Sequence, residues 1–175
     1  MAPFSYQPPT RGDKAGQQSH SQSAESNLSH GQSTVAKLLE AKGDAIFAIR
    51  PNDTVGHAVE ALRDKRIGAL VVTDQNGALQ GILSERDIVR ELSKEGAACL
   101  DKPVSGYMTR ELVTCTTQSN VGELLKQMTE GRFRHMPVVE EGKLIGLVSL
   151  GDVVKAQLAE VAMEKDALEG MIMGH

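Results

Sequence analysis

Apolar and polar residues follow the same order in two successive stretches of the chain. In the first stretch, a short apolar run at 46–49 is followed by residues at helical spacing, and then by apolar runs at 69–72 and 79–83 around a polar turn. The residues at helical spacing are Val55, Ala58, Val59 and Leu62. Spacings of three and four predict one face of a helix, and short apolar runs around a turn predict a hairpin. With a helix from Ser84 towards Leu92, the stretch predicts strand, helix, strand, strand, helix.

The second stretch repeats this order. Residues 112–115 predict the short strand, and the runs at 136–139 and 144–148 predict the hairpin. The two helix faces consist of Val121, Leu124, Leu125 and Met128 before the hairpin, and of Val153, Val154, Leu158 and Val161 after it. The offset between the copies is 67 residues from Val71 to Val138 and 65 residues from Gly81 to Gly146. Because the difference falls in the hairpin turn, where length changes cost least, the pattern predicts an internal duplication.

The remaining segments set the predicted boundaries. Residues 1–33 contain almost no large apolar residues and are rich in Ser, Gln, Gly and His, which predicts a disordered tail. Val35, Leu38 and Leu39 have helical spacing, and Gly43 can end that leading helix. We therefore expect a tail at 1–33, a first repeat with its leading helix at 34–98, a second repeat with its linker at 99–165, and a C-terminal extension at 166–175.

Both repeats contain one motif at the predicted junction of strand and helix. It reads Gly, two apolar residues, Ser, two variable residues and Asp, at 81–87 and again at 146–152. A carboxylate can accept hydrogen bonds from both hydroxyls of a cis-diol, and a Ser at a helix start lies where phosphate is attracted. A Ser and an Asp three residues apart also resemble a capping box, which stabilises a helix without any ligand. The duplication favours the ligand interpretation.

Composition and charge exclude several classes of function. The net charge of −4 argues against a general nucleic-acid-binding surface, which is usually basic. No apolar run approaches the roughly 18 residues of a membrane span, and we expect no membrane contact. Cys99 and Cys115 have neither metal-ligand nor redox-motif spacing. Two isolated thiols without a secretory signal predict a cytoplasmic location.

The order of elements and the duplicated motif resemble the CBS domain, and the pair resembles a Bateman module. The segments at 106–109 and 134–138, Gly-Tyr-Met-Thr and Arg-His-Met-Pro-Val, are also similar to this family. The resemblance covers about residues 34–165 and implies an α+β fold. In that fold, two tandem β-α-β-β-α repeats pack through their sheets with pseudo-two-fold symmetry. It implies a free-standing module.

The resemblance also implies two clefts that bind adenosine-containing ligands such as AMP, ADP, ATP, NAD or S-adenosylmethionine. In the family, the motif Asp binds the ribose hydroxyls, and strand residues of the opposite repeat complete each cleft. For the first cleft, this assigns Ser84 and Asp87 together with Thr114, Arg134, His135, Met136 and Pro137. For the second cleft, it assigns Ser149 and Asp152 together with Ala48, Ile49, Ile67, Gly68 and Ala69. No further cofactor is implied.

The two clefts are not expected to be equivalent. Arg86 lies within the first motif, and the opposing strand would add Arg134 and His135, whereas the second motif has Leu150 and Gly151 at its variable positions. Since the planar guanidinium suits phosphate, the first cleft is the expected phosphate site. Arg86 on a solvated helix face and His135 with a backbone partner are the alternatives. We expect no catalysis, because no Ser-His-Asp, Cys-His or zinc-ligand arrangement is apparent.

These observations predict a regulatory module that binds an adenine nucleotide. The alternative is a structural or partner-docking module with empty clefts. The family commonly forms dimers through its helices, and a chain of this size has little interior for all of its apolar stripes. We therefore expect a homodimer, with an unidentified protein target as a further possible partner.

Overall fold

The computed structural model describes residues 33–43 and 45–173, so the predicted disordered tail lies almost entirely outside the described residues. The five helices in this part of the chain are α1 Val35–Lys42, α2 Val55–Lys65, α3 Glu85–Glu95, α4 Val121–Gly131 and α5 Leu150–Met173. The strands are β1 Ala48–Ile49, β2 Ala69–Thr73, β3 Leu79–Ser84, β4 His135–Glu140 and β5 Lys143–Ser149. Two short 3-10 turns at Gly96–Asp101 and Val104–Gly106 form the linker. The predicted order of elements is thus complete in the first repeat, and the second repeat lacks only the short first strand.

The two repeats have small sheets of the same design. In the first, β1 is parallel to β2, and β2 pairs antiparallel with β3. In the second, β4 and β5 form the antiparallel pair, and the strand predicted at 112–115 is reduced to a single parallel bridge between Cys115 and Val138. This bridge cannot extend in one direction because Pro137 has no N–H group. In the other direction, the backbone N–H of Thr117 donates to Glu140 Oε1 at 2.7 Å instead.

The sheets of the two repeats face each other. Ala69, Val71 and Ile82 of the first repeat form a buried cluster, and Leu144 and Leu147 of β5 pack against it. Each repeat also has a core of its own between its sheet and its helices. The mixed α/β architecture and its contact between sheets are those that the resemblance implies.

The segments that precede the repeats are exchanged between the cores. Val35 and Leu38 of α1 are 0% and 6% exposed, and they belong to the core of the second repeat, although α1 precedes the first. Val104 and Met108 of the linker belong to the core of the first repeat. The backbone joins in this exchange, since Val35 N–H donates to Ser119 O and Val104 N–H donates to Asp53 O. Each repeat is therefore completed by the segment that leads into the other.

The motif glycines are located where these exchanged segments cross the strands. A Cβ added to Gly81 would lie 2.8 Å from the carbonyl oxygen of Thr109, and one added to Gly146 would lie 2.9 Å from Leu39 Cδ2. Thr109 also exchanges two backbone hydrogen bonds with Ile82. The glycine thus has the same packing reason in both copies of the motif.

The structure corrects the prediction that the stripes on α2 and α4 are available for a dimer. Val55, Ala58 and Leu62 of α2 are buried in the first core, and Val121, Leu124 and Met128 of α4 are buried in the second. The two cores absorb these residues because each stripe has its own sheet to cover. The large apolar residues of α5 remain exposed; they are Val154, Leu158, Val161, Met163, Leu168, Met171 and Ile172. Within the described residues, the helices include none that is both long and apolar enough to cross a membrane.

Candidate functional site

The first motif forms a complete capping box at the start of α3. The backbone N–H and the hydroxyl of Ser84 donate to Asp87 Oδ2 at 3.1 and 2.6 Å, and the Asp87 N–H donates back to Ser84 Oγ at 3.4 Å. Asp87 is one of the two buried polar residues of the described chain. Its other oxygen, Oδ1, accepts a hydrogen bond from Arg90 at 2.9 Å. The carboxylate is therefore fixed at the positive end of a helix, with one oxygen held by an exposed cation.

The second motif has the same geometry at the start of α5. The backbone N–H and the hydroxyl of Ser149 donate to Asp152 Oδ2 at 2.9 and 2.7 Å, and the Asp152 N–H returns a bond to Ser149 Oγ at 3.2 Å. The cation here comes from the exchanged helix α1. Lys42 Nζ lies 2.6 Å from Asp152 Oδ2 and donates to the carbonyl oxygen of Leu147 at 2.9 Å. Each copy of the motif thus has one associated cation, from a different source.

These contacts lower the pKa of Asp152. Burial by itself raises the pKa of this carboxyl, but the hydrogen bonds from Lys42 and Ser149 and the positive charge of Lys42 outweigh that effect. Asp152 is therefore ionised at neutral pH, as an acceptor for hydroxyl groups must be. Its side chain keeps 27% of its surface exposed, and that of Lys42 keeps 35%.

Strand register decides which backbone lies beside each box. Ser84 is paired with Ala69, and the N–H of Glu85 donates to the carbonyl of Gly68 at 3.0 Å. Ser149 is paired with His135, and the N–H of Leu150 donates to the carbonyl of Arg134 at 2.8 Å. The residues immediately beside each box therefore belong to its own repeat, whereas the resemblance assigned them to the cleft of the other repeat.

His135 reaches from the second repeat to the first. Its Nε2 lies 3.7 Å from the position of a Cβ on Gly68, as does Glu85 Oε2. Burial lowers the pKa of His135, the charges of Lys42 and Arg134 lower it further, and those of Asp152 and Asp87 oppose this. His135 is paired with Ser149 of the second box and lies beside Gly68, whose carbonyl accepts the Glu85 N–H at the first box, so His135 lies between the two boxes. A side chain on Gly68 would meet this imidazole.

The other expected site residues fall into two groups. Arg86, Arg134, Thr114 and Ala48 are exposed, and no salt bridge to either arginine is found within the described residues. Met136 and Ile49 belong to the two cores, and Pro137 is buried as well. Ile67 packs at the edge of the first core. Of the expected residues, those that are exposed have side chains that a ligand could contact.

Sequence reasoning missed Lys42 and Arg90, the two cations that contact the motif carboxylates. Arg90 is three residues from Asp87 on α3, so the i, i+3 rule for helices could have identified it. Lys42 is 110 residues from Asp152, and only the exchange of α1 brings them together. A local pattern contains no signal for such a contact.

Three other features of the described part of the chain bear on function: metal-binding groups, a buried thiol and a cavity. No group of three or more His, Cys, Asp and Glu side chains that could hold a metal ion is found there. Burial raises the pKa of Cys115 to about 11, so this thiol is protonated and a poor nucleophile at neutral pH. A cavity of about 490 Å³ lies beside α3, and it is lined by Arg90, Glu91, Glu95, Lys102, Pro103, Gly106 and Tyr107. None of the expected site residues lines this cavity.

Known proteins are similar to this chain in sequence. The CBS domain family matches residues 43–94 and 104–159. The relative named CBS domain-containing protein CBSX3, mitochondrial, from Arabidopsis thaliana is 34% identical over 149 residues, which are 81% of this chain and 72% of that protein. A protein of 17.7 kDa from Acidianus ambivalens is 35% identical over 123 residues, which are 70% of this chain and 73% of its own length.

Solved structures agree with the fold. The structure of a CBS-domain-containing protein from Agrobacterium tumefaciens matches with a TM-score of 0.70 and 44% identity, over 71% of this chain and 99% of that chain. The CBS domain pair of the protein MJ0100, solved with 5′-methylthioadenosine and S-adenosylmethionine, matches with a TM-score of 0.66 and 22% identity, over 74% and 98% of the two chains. With two matched copies and the duplicated capping box, the chain belongs to the CBS-domain family and contains a tandem CBS domain pair.

Proposed function

We propose that this CBS pair is a regulatory module that binds adenosine-containing nucleotides at its two motif carboxylates. The observation that carries the proposal is the duplicated box, in which Asp87 and Asp152 are held at helix N-termini by Ser84 and Ser149. Each carboxylate has one oxygen outside the box, and each lies beside a cation and a strand edge. This combination suits a ligand with neighbouring hydroxyls and a negative charge.

The proposed contacts follow from the chemistry of the parts. The two ribose hydroxyls donate to the carboxylate, which gives charge-assisted hydrogen bonds that are stronger than neutral ones. The helix N-terminus and the nearby cation then attract the phosphate. Arg90 at the first box and Lys42 at the second are the cations that already touch the carboxylates. The exposed Arg86 and Arg134 are available to add to them.

One solved structure with the same fold contains ligands of this class. The MJ0100 pair was solved with two adenosine-containing molecules, although its 22% identity to this chain supports only a shared fold. The nucleotide itself is not determined by the fold, so AMP, ADP, ATP, NAD and S-adenosylmethionine all remain candidates. We propose no catalytic step and no cofactor beyond the bound nucleotide.

A regulatory role requires that the ligand binds one arrangement of the repeats more tightly than another. His135 is well located for this coupling, because it lies beside Gly68 of the opposite repeat. The charges of both motif carboxylates also raise the pKa of its imidazole. We propose that ligand binding shifts the repeats relative to each other, or shifts two modules within a homodimer. We also propose that the module acts on a protein target and that it is located in the cytoplasm.

A structural role is the second candidate, and one observation favours it. Every hydrogen bond of the two capping boxes is satisfied within the protein, so the motif stabilises α3 and α5 without a ligand. Lys42 and Arg90 likewise donate to Asp152 and Asp87 in the absence of a ligand. A module that only docks a partner would keep these contacts permanently.

Thermal unfolding in the presence of nucleotides separates the two candidates. The purified chain is heated with millimolar AMP, ADP, ATP, NAD or S-adenosylmethionine, and with GMP as the matched control for charge. A ligand at about 100 times its Kd stabilises the native state by about 2.7 kcal/mol, which raises the melting temperature by several degrees. We expect such a shift with at least one adenosine ligand and a smaller one with GMP. No shift with any adenosine ligand would favour the structural role.

A further inference from the structure

Lys42 is bound where the proposed ligand must bind. Its ammonium donates to Asp152 Oδ2 and to the carbonyl oxygen of Leu147, so it lies between the carboxylate and the adjacent strand β5. Asp152 Oδ2 also accepts two bonds from Ser149, so three donors already converge on this one oxygen. Oδ1 of Asp152 accepts no hydrogen bond within the described residues. Because the two hydroxyls of a cis-diol can donate to both oxygens of a carboxylate, the hydroxyl that takes Oδ2 competes with Lys42.

The position of Lys42 is fixed by the exchanged helix rather than by chance contact. Val35 and Leu38 anchor α1 in the second core, and Leu39 packs on Gly146 of the second motif. Lys42 is the last residue of this helix, and Gly43 follows it with a φ of 86°. The helix thus delivers the base of the Lys42 side chain to the second box, while 35% of the side chain stays exposed. The ammonium is free to swing on its flexible stem while α1 remains in place.

We propose that Lys42 makes the second cleft selective for phosphorylated nucleosides over uncharged ones. This inference rests on the proposed function. When the ribose hydroxyls take Asp152, the ammonium loses its anionic partner, and a phosphate on the ligand replaces that partner. An uncharged nucleoside offers no such replacement, so its binding leaves the ammonium without a counter-charge. No covalent step is involved; one ion pair is exchanged for another.

The first cleft provides the contrast within the same chain. There the cation that contacts the carboxylate is Arg90, which also binds Glu91 at 3.1 Å. If a ribose displaced Arg90 from Asp87, the guanidinium would keep an anionic partner. Relative to a phosphorylated nucleoside, an uncharged one should therefore lose less affinity at the first cleft than at the second.

The test measures each cleft separately by NMR. The backbone amides of Ser84 and Asp87 report on the first cleft, and those of Ser149 and Asp152 report on the second. Full-length protein is titrated with AMP and with adenosine, as wild type and as Lys42→Met, Lys42→Arg and Lys37→Met. Lys37 is the matched control, since it is an exposed lysine of the same helix with no salt bridge among the described residues.

At the second cleft of the wild type, we expect AMP to bind at least about tenfold more tightly than adenosine, because the replacement bond is charge-assisted. Lys42→Met should reduce this preference to less than about threefold, by weakening AMP binding and strengthening adenosine binding. Lys42→Arg should keep the preference, and Lys37→Met should behave as the wild type. If Lys42→Met loses the native amide pattern, the comparison between Lys42→Arg and Lys42→Gln replaces it.

The outcomes are distinguishable. If both ligands bind and Lys42→Met keeps the preference for AMP, this inference is wrong and the proposed function stands. If the amides of the second cleft respond to neither ligand while those of the first respond, the inference is wrong and the proposed function is confined to the first cleft. If no amide of either cleft responds, both the inference and the proposed function are wrong for these ligands.

Discussion

Lys42 Nζ lies 2.6 Å from Asp152 Oδ2, although 110 residues separate the two in the sequence. The contact exists because α1 leaves the first repeat and packs into the core of the second. The linker does the converse, since Val104 and Met108 complete the core of the first repeat. The core of each repeat, and the candidate site of the second, are therefore built partly from a segment outside that repeat.

The exchange predicts where the folded unit begins. Deleting residues 1–32 should change the melting temperature by no more than a few degrees, because their composition predicts disorder and the deletion keeps the backbone bonds of Ser33 and Val35 to the second repeat. Leu38→Ala should cost about 2–5 kcal/mol of unfolding free energy, since it leaves a cavity in the second core. Lys37→Ala, on the exposed side of α1, is the control and should stay within about 0.5 kcal/mol. Urea unfolding measures all three.

A large loss of stability on deletion of 1–32 would show that the tail contributes to the folded unit. A loss from Leu38→Ala no larger than that from Lys37→Ala would show that α1 does not belong to the second core in solution.

The two motif glycines should tolerate alanine to different degrees. A Cβ at Gly81 meets the backbone oxygen of Thr109 at 2.8 Å, whereas a Cβ at Gly146 meets only the end of the flexible Leu39 side chain. Overpacking costs about 1–3 kcal/mol when the neighbour cannot move. We expect Gly81→Ala to lie in this range and Gly146→Ala to cost less. Gly106→Ala, with no atom within 4 Å of its Cβ, is the control. Equal costs at Gly81 and Gly146 would contradict the described crossing of Thr109.

His135 should make stability depend on pH. Burial lowers the pKa of its imidazole in the folded state, and the charge of Lys42 adds to this effect. The unfolded chain therefore binds a proton at higher pH than the folded chain, so this contribution is complete above about pH 6.5 and decreases as the pH falls below it. The pKa of Asp152 is also lowered, so its contribution to stability is complete above about pH 4 and decreases as the pH falls below that value.

Denaturant unfolding at pH 7.5 and pH 5 measures the effect. The wild type should lose more unfolding free energy between these values than His135→Asn does. His57→Asn, which removes an imidazole that is 63% exposed on α2, should retain the behaviour of the wild type. A pH dependence that His135→Asn leaves unchanged would show that this imidazole is not responsible.

The exposed face of α5 predicts the site of self-association. Val154, Leu158, Val161, Leu168 and Ile172 follow one another at spacings of four, three, seven and four, which is the pattern of a coiled-coil seam. We expect light scattering at micromolar concentration to give twice the mass of the 18.8 kDa chain. The double variant Leu158→Glu and Leu168→Glu should return it to a monomer. A wild-type mass near that of one chain would end the dimer proposal.

The sequence predicted most of the fold because each element had a local cause. Apolar spacing identified α2 and α4, and the polar turns identified both hairpins. Ser84 and Asp87 identified the start of α3, where the capping box is indeed complete. The short strand at 112–115 was overpredicted, because the pattern does not show that Pro137 and Thr117 have no free N–H for the ladder.

Less of the candidate site than of the fold could be predicted from the sequence. The sequence predicted the capping-box pairing of each motif serine with its carboxylate, but not the cation that Asp152 binds, since Lys42 reaches it only through the exchange of α1. The apolar stripes on α2 and α4 were predicted to be available for a dimer interface. Periodicity shows that a helix has an apolar face, but it does not show which part of the protein covers that face. Both errors concern contacts between segments that are distant in the chain.

Isothermal titration calorimetry of the wild type, Asp87→Ala and Asp152→Ala with AMP tests the central claim most directly. Loss of a hydrogen bond to a charged group costs about 1.5–3 kcal/mol, so each variant should weaken its own cleft by roughly 10- to 100-fold. Asp87→Ala should cost more of the total affinity, because the exposed Arg86 within the first motif gives the first cleft an additional cation for the phosphate. Melting curves without ligand, with Asp101→Ala at an exposed position of the linker as a surface control, show whether each variant is folded. We predict saturable heat with the wild type and a reduced stoichiometry or affinity in each variant. Affinities that are identical in all three proteins, with folding intact, would contradict the account.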